Sequence, residues 1–553
     1  MKKINKILSS ALIFFIAAGS YAQNNVSDAE EISLPDVSTV ISGGAPKVGK
    51  SAVPDYSKVL PESNRSQQVL PQLPETSDVQ SSADSIQLKG DIPQKQIYAE
   101  GIAGGGYPGY IIGDFSLYRQ SGRNPFRIDF GHETANGYSG NSLTSGFFDR
   151  NTYIAARKTF SYKKMELDFT GRYENRANGL QDKCDYISDV AQDKIEGNID
   201  WRVNFNNSFS LNTTINGDWY KRYPVITGDF YKIEDYAASV GIIDFNPKSV
   251  FTWKNKKNFY ASVLAEYNLE YDTKDSFYDT RAINRGNFGF ALGWNNDFVK
   301  IYGSCSAIIG NETGNHSVVV PFTAGADFSL KNGLSSRKIL ISAKGGIDSY
   351  LPKVENLERF YKFSAAKVMP AETSDWLGSL DVSIPLKDMF TFNAKGEFRS
   401  TAYDNGTYHP VYDIDEEHPD FGQYTYIEDF MTQFNSDVSI SFTYKILNIA
   451  AGWKNHWIDI PELCDRTELR LAISILDKKA RFGFDGQFRE GFSNSNDKCP
   501  EVDLSVFFRL TKAVRLAVSA TDVVKLWSGC ERDYAGQYIQ RSGTASVLVK
   551  FFF

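Results

Sequence analysis

Apolar and polar residues alternate one by one along most of this chain from residue 97 onward, and a period of two marks half-buried β-strands. Met165, Leu167, Phe169, Gly171 and Tyr173 share one face, opposed by Glu166, Asp168, Thr170, Arg172 and Glu174. Ile195, Ile199, Trp201, Val203 and Phe205 likewise oppose Glu196, Asn198, Asp200, Arg202 and Asn204. The split recurs where Phe259, Ala261, Val263, Ala265, Tyr267, Leu269 and Tyr271 face Ser262, Glu266, Asn268 and Glu270, and where Phe390, Phe392, Ala394 and Phe398 face Thr391, Asn393, Lys395, Glu397 and Arg399. Each run lasts about ten residues and keeps a continuous charged face, as in a strand crossing a membrane in a barrel wall. Residues 544–553 repeat the pattern to the end, with Ala545, Val547, Val549, Phe551 and Phe553 on one face.

Connections alternate too. Tight turns fall at Tyr162-Lys163, Asn206-Asn207, 254–257, 295–297, Leu386-Lys387, Lys445, 477–479 and 510–512. Between them lie longer polar segments near 133–150, 176–191, 221–233, 272–281, 351–373, 403–428, 492–499 and 527–540. Short turns on one rim and long loops on the other predict an all-β, transmembrane antiparallel barrel of about 22 strands, with about two strands of latitude around 351–376. Strand 1 is expected near 97–104 and strand 22 near 541–553, with both termini on the short-turn rim and the long loops outside the cell. Trp219, Trp457 and Trp527 fall near the outer strand ends and Trp253 and Trp294 near inner turns, where interfacial girdles belong.

The N-terminus reads differently. Lys2, Lys3 and Lys6, an apolar run over 11–19 and Ser20-Tyr21-Ala22 form a secretory signal over 1–22, with cleavage before Gln23. The run is too short for a spanning helix, which needs roughly 20 residues. Residues 23–96 hold seven of the 19 prolines among Ser, Gln and Asp, without periodicity. Such a segment buries too little apolar surface to offset ordering entropy, which predicts a disordered periplasmic tail before the barrel domain, 97–553. A net charge of −7 is too small and dispersed to argue for nucleic-acid binding. Cys184, Cys305, Cys464, Cys499 and Cys530 lack metal-ligand spacing. Cys464, Cys499 and Cys530 fall in successive long loops, so a disulfide between neighbours is one expectation, while Cys305 is placed on the outward face with Val299, Ile301 and Ala307.

Three resemblances extend this reading. The terminal strand, with Val547, Val549, Phe551 and Phe553 on one face, resembles the closing strand of bacterial outer-membrane barrels, which implies recognition by the barrel assembly machinery. The stretch Ile97-Tyr-Ala-Glu-Gly-Ile-Ala-Gly-Gly-Gly-Tyr-Pro-Gly-Tyr110, continuing through Phe115 to Arg127, resembles the first hairpins of TonB-dependent receptors, which also have 22 strands. Those receptors carry a plug domain of well over a hundred residues before strand 1; residues 23–96 are too few, so the resemblance is to a receptor-like barrel without a plug. The segment Asp36, Val37, Ser38, Thr39, Val40, Ile41 and Ser42 resembles a TonB box, an extended segment that pairs as an added strand with the energy-coupling protein.

Chemistry of its own is not expected. The loop 403–429 gathers Asp404, Asp413, Asp415, Glu416, Glu417, Asp420, Glu428 and Asp429 with His409 and His418, but without the glycine spacing of a calcium loop, and reads as a solvated acidic loop. His132, His316 and His456 complete the histidines, and no nucleophile motif accompanies them. The expected protein is a non-enzymatic outer-membrane barrel, without cofactor or metal, that passes hydrophilic solutes through a lumen lined by both charge signs. The alternative is a structural or interaction barrel whose lumen is closed by loops or a partner protein.

Overall fold

The computed structural model describes residues 97–119, 124–183, 187–226, 239–274, 282–311, 318–333, 335–360, 372–387, 389–402, 407–412, 424–458, 466–477, 481–493, 500–511, 513–528, 533–534, 538–539, 541 and 543–552. One antiparallel sheet holds 23 strand segments and closes on itself. Val318–Val319 and Phe322–Leu330 both pair with Val299–Gly310 and form one wall strand interrupted at Pro321, so the wall has 22 strands. Proline has no N–H to give to the ladder. Its carbonyl still accepts from the Ser306 N–H at 3.0 Å, which holds the interruption against the wall.

Closure joins the first and last strands. Tyr98–Tyr107 pairs with Tyr110–Arg119 on one side and Thr544–Phe552 on the other, which leaves the wall without a free edge. Both barrel ends lie on the short-turn rim, as the even strand count requires. Glycine permits a close approach at this seam. A Cβ on Gly106 would stand 2.0 Å from the Ala545 carbonyl oxygen, and one on Gly101 would stand 2.4 Å from the Phe551 ring.

The short turns have a repeated cause. Asn206 accepts from the N–H groups of Ser208 and Phe209, Asn255 from those of Lys257 and Phe259, and Asn296 from those of Phe298 and Val299. An asparagine carboxamide that mimics backbone at the turn start satisfies donors the ladder cannot reach.

Alternation holds in three dimensions. Val263, Phe288, Ile195, Ile301 and Val547 point outward and are exposed, while Ser262, Glu266, Asn268, Glu270 and Asn287 point inward and are buried. Cys305 sits on the outward side between Phe290 and Phe322, as expected. Leu264 departs from the pattern by facing inward, and Ile308, Val319 and Tyr350 form a small apolar cluster.

The long-loop rim corrects several boundaries. Strands run to Gly179 and Ile226 and begin at Ile187, inside segments read as loops. Above the apolar band both faces turn polar, so alternation fades although backbone pairing continues. A seven-residue helix, α1 (Val354–Phe360), lies in the 351–373 loop, and a second, α2 (Val523–Ser528), carries an exposed Trp527 where a strand end was expected. The acidic loop contains a paired hairpin, Thr407–Tyr412 with Tyr424–Asp429. Wall height is uneven: Ile187–Asn204 and Phe209–Ile226 have 18 residues each, against eight in Val514–Thr521 and nine in Thr544–Phe552.

Candidate functional site

Strand register places four carboxylates side by side on the inner face. Glu196 lies opposite Asp218, Asp218 opposite Asp244, and Asp244 opposite Glu270, across four adjacent strands from Ile187–Asn204 to Phe259–Asp272. Directly opposed like charges destabilise a sheet unless a counter-charge is supplied. Arg172 stands opposite Glu196 at one end of the row. For the middle, the cation comes from elsewhere in the chain.

It comes from the arm formed by residues 351–360. This arm leaves the Ile339–Tyr350 strand, whose wall neighbours are Phe322–Leu330 and Thr373–Leu386, and lodges on inward residues several strands away. Lys353 Nζ lies 2.5 Å from Asp244 Oδ2 and 3.4 Å from Asp218 Oδ2. The Val354 N–H donates to the Glu270 carboxyl. Glu355 pairs with Lys194 at 2.6 Å, and Lys194 also reaches Glu196 at 2.9 Å. The Tyr220 hydroxyl donates to Glu358 Oε2 at 2.7 Å, and Gln192 Nε2 donates to the Glu358 carbonyl at 3.3 Å. Burial alone would push the Lys353 ammonium down, but Asp244 and Asp218 outweigh it and hold the group above its ordinary value.

The return of the same loop is fixed as firmly. Glu372 receives a two-pronged bond from Arg285, at 2.6 and 2.9 Å, and a third from the Ser349 hydroxyl at 2.6 Å. Beside it, Arg399 sits among Asp348 at 3.3 Å, Asp375 at 3.7 Å and Glu397 at 2.6 Å. Paired forks of this kind are the geometry in which buried charges are tolerated.

Across other strands the inner face changes character, in a row that starts near the short-turn rim and climbs to mid-strand. Lys300, Asp327, Ser342, Asp381, Lys395, Asp437, Lys454 and Glu468 stand in register across eight consecutive strands, a row of mixed sign. Lys300 and Asp327 are 3.6 Å apart, and Ser342 donates to Asp327 at 2.6 Å. A cavity of about 580 Å³ opens there, lined among others by Lys300, Asp327, Asp381, Lys395 and Asp437. The lumen therefore has a mixed-charge wall with a cavity against it and, on other strands, an acidic wall on which the arm rests.

Of the singled-out residues, Val547 and Val549 stand exposed on the outward face and Phe551 lies over Gly101. Phe553, the segment Asp36–Ser42 and the signal segment lie outside the described residues, as do Cys184, Cys464, Cys499 and Cys530 and the plugless reading, which turns on residues 1–96. His132 meets Thr152 Oγ1 at 2.8 Å and His456 bonds Asn435, two separate wall contacts. Among the described residues no group of His, Cys, Asp and Glu is arranged to hold a metal ion. The acid row and Lys353 were not foreseen. Glu196 with Asp218 and Asp244 with Glu270 can be found by counting outward from the asparagine turns, but the Asp218 to Asp244 step crosses a long loop.

The fold and this site define a closed 22-stranded barrel with an occupied mouth. No protein-family model matches the chain, and no curated protein matches its sequence. Solved structures do. The FrpB iron transporter from Neisseria meningitidis matches with a TM-score of 0.62 at 7% identity, covering 83% of this chain and 82% of that one. The copper transporter OprC matches at 0.59 and 10% identity, covering 83% and 80%. A variant of the ferric enterobactin receptor PfeA from Pseudomonas aeruginosa matches at 0.59 and 7%, with the same coverage. The likeness is one of fold: the chain has the closed 22-stranded barrel architecture expected from its receptor-like opening hairpins.

Proposed function

We propose that this protein is an outer-membrane barrel that passes hydrophilic solutes, its mouth narrowed by the 351–360 arm. The carrying observation is an inner face lined by charges of both signs, with a cavity of about 580 Å³ against it, together with an arm tied to the wall through side-chain ion pairs. The neighbours are transporters of iron and copper and a ferric enterobactin receptor, which supports a transport role without naming this protein's cargo. The acid row and the two-signed chamber favour small charged solutes. No catalytic role belongs to this reading.

The second reading, a barrel closed by its own loop, draws on the same arm: Arg285 with Glu372 and Arg399 with its three carboxylates fix the loop base as rigidly as a wall. Planar-bilayer conductance of the purified full-length protein separates the two. A stable pore that widens when 351–360 is replaced by a short glycine-serine linker supports passage. A silent barrel that stays silent after the replacement sinks it. The tail belongs to the same proposal: Asp36–Ser42 would engage TonB as an added strand, residues 23–96 would leave the lumen without a plug, and Val547, Val549, Phe551 and Phe553 would present the closing strand to the assembly machinery. Unchanged uptake and TonB association after deletion of 34–42 would remove the TonB element.

A further inference from the structure

The acid row holds a ligand in this structure, and that ligand is an alkylammonium: the end of Lys353. Three features mark the seat as more than a local ion pair. Asp218, Asp244 and Glu270 are set by register rather than by loop chance, and the wall supplies no lysine or arginine opposite any of them. Glu270, 1% exposed, keeps Oε2 without a hydrogen-bond partner among the described residues, and Asp244, 3% exposed, keeps Oδ1 in the same condition. An ammonium offers three donors, and these oxygens are further acceptors beside the ones Lys353 reaches. Finally, the Lys353 side chain is 20% exposed while the Asp244 side chain is 2% exposed, so the cation approaches from the open lumen and its seat lies behind it.

We propose that Asp218, Asp244 and Glu270 form a seat for a compact organic ammonium, occupied by Lys353 in the resting barrel and available to the amine of a passing solute. The inference rests on the passage reading and deepens it by naming the solute class: small hydrophilic molecules bearing a primary amine. Lys353 is then a tethered competitor. A tethered group acts at a high effective concentration, so an external amine displaces it only when it brings further contacts. The mixed-charge row across the other strands, Lys300 to Glu468, can supply such contacts to the rest of a zwitterionic molecule. No covalent step is involved; one ammonium replaces another and charge is conserved.

The test removes the tethered amine and offers a free one. In Lys353→Ala the seat is empty, and n-butylammonium reproduces the lost side chain. Thermal unfolding of the full-length variant in detergent, with added n-butylammonium, is expected to show a melting temperature that climbs with the logarithm of amine concentration. Tetramethylammonium at equal ionic strength, which has no N–H to donate, is expected to give no such climb. The double variant Lys353→Ala/Asp244→Asn is expected to lose the response. A response equal for the two cations, or retained in the double variant, overturns the seat. Should Lys353→Ala fail to fold, Lys353→Met carries the same test with the side-chain length nearly kept and no donor in the seat. In bilayers, n-butylammonium is expected to lower the current through Lys353→Ala more than through the unaltered barrel. If neither protein conducts, the passage reading fails while the melting measurement still decides the seat.

Discussion

The wall from Ile187 to Asp272 and the seam between Tyr98–Tyr107 and Thr544–Phe552 are built from the same antiparallel ladder and solve opposite problems. The first is tall, carries four carboxylates in register and takes its counter-charge from a remote loop. The second is short and relies on glycines that let two strands meet almost flush. Side-chain charge organises one region and the lack of side chains organises the other. The two demands are thereby separated: the seam must hold for a barrel to exist, while the ladder of the tall wall is complete without the arm.

The largest expected effect breaks the seam. Gly106→Val drives a branched side chain into the Ala545 carbonyl and Ser546 Cα, so folded barrel, scored as the heat-modifiable band on a gel, should be lost. Gly378→Val is the matched control, since a Cβ there meets nothing within 4 Å, and it should fold normally. Next comes the loop base: Arg285→Ala strands the buried Glu372 carboxylate, and denaturant unfolding should show a loss of about 3–5 kcal/mol. Val263→Arg, on the outward face of the tall wall, should cost ~2–4 kcal/mol if that residue lies near the bilayer midplane. An effect near zero would place the apolar band elsewhere.

These sites differ in how far they could be read from the chain. Val263 and its outward neighbours were legible because lipid on one side and a polar lumen on the other force a period of two. The strand count and the closing strand followed from the same pattern. The extensions to Gly179 and Ile226 were not legible, because Arg176, Asn178 and Lys221 to Tyr223 sit where neither face is apolar. The seat for Lys353 was hidden for a different reason. Alternation tells which way Asp218 points but not which residue lies beside it across a long loop, and a lone lysine in a polar loop carries no periodic signal.

The smaller effects sharpen the tall wall further. Because Lys353 is held above its ordinary value, its docking is present at neutral pH and is lost only as pH rises past the ordinary lysine range toward the raised folded value. Conductance should therefore be flat between about pH 7 and 9 and rise only beyond about 10.4, the reference lysine value. A rise already at pH 8 would assign the contact to another group. Smallest of all, Asn206→Ala removes two turn bonds at the foot of this wall and should lower stability by about 1 kcal/mol, measured by denaturant unfolding.

The seam also dictates the order of assembly. Phe551 lies over Gly101 and Ala545 pairs with Tyr107, so the ring cannot shut until nearly the whole chain has been delivered to the site of folding. Every shorter intermediate is an open sheet with two unpaired edges, the state most prone to pair with the wrong strand. Contacts between the two extremes of a chain are also the slowest to form unaided, because the longest loop must close first. A barrel fastened in this way keeps both edges open until its own last strand arrives.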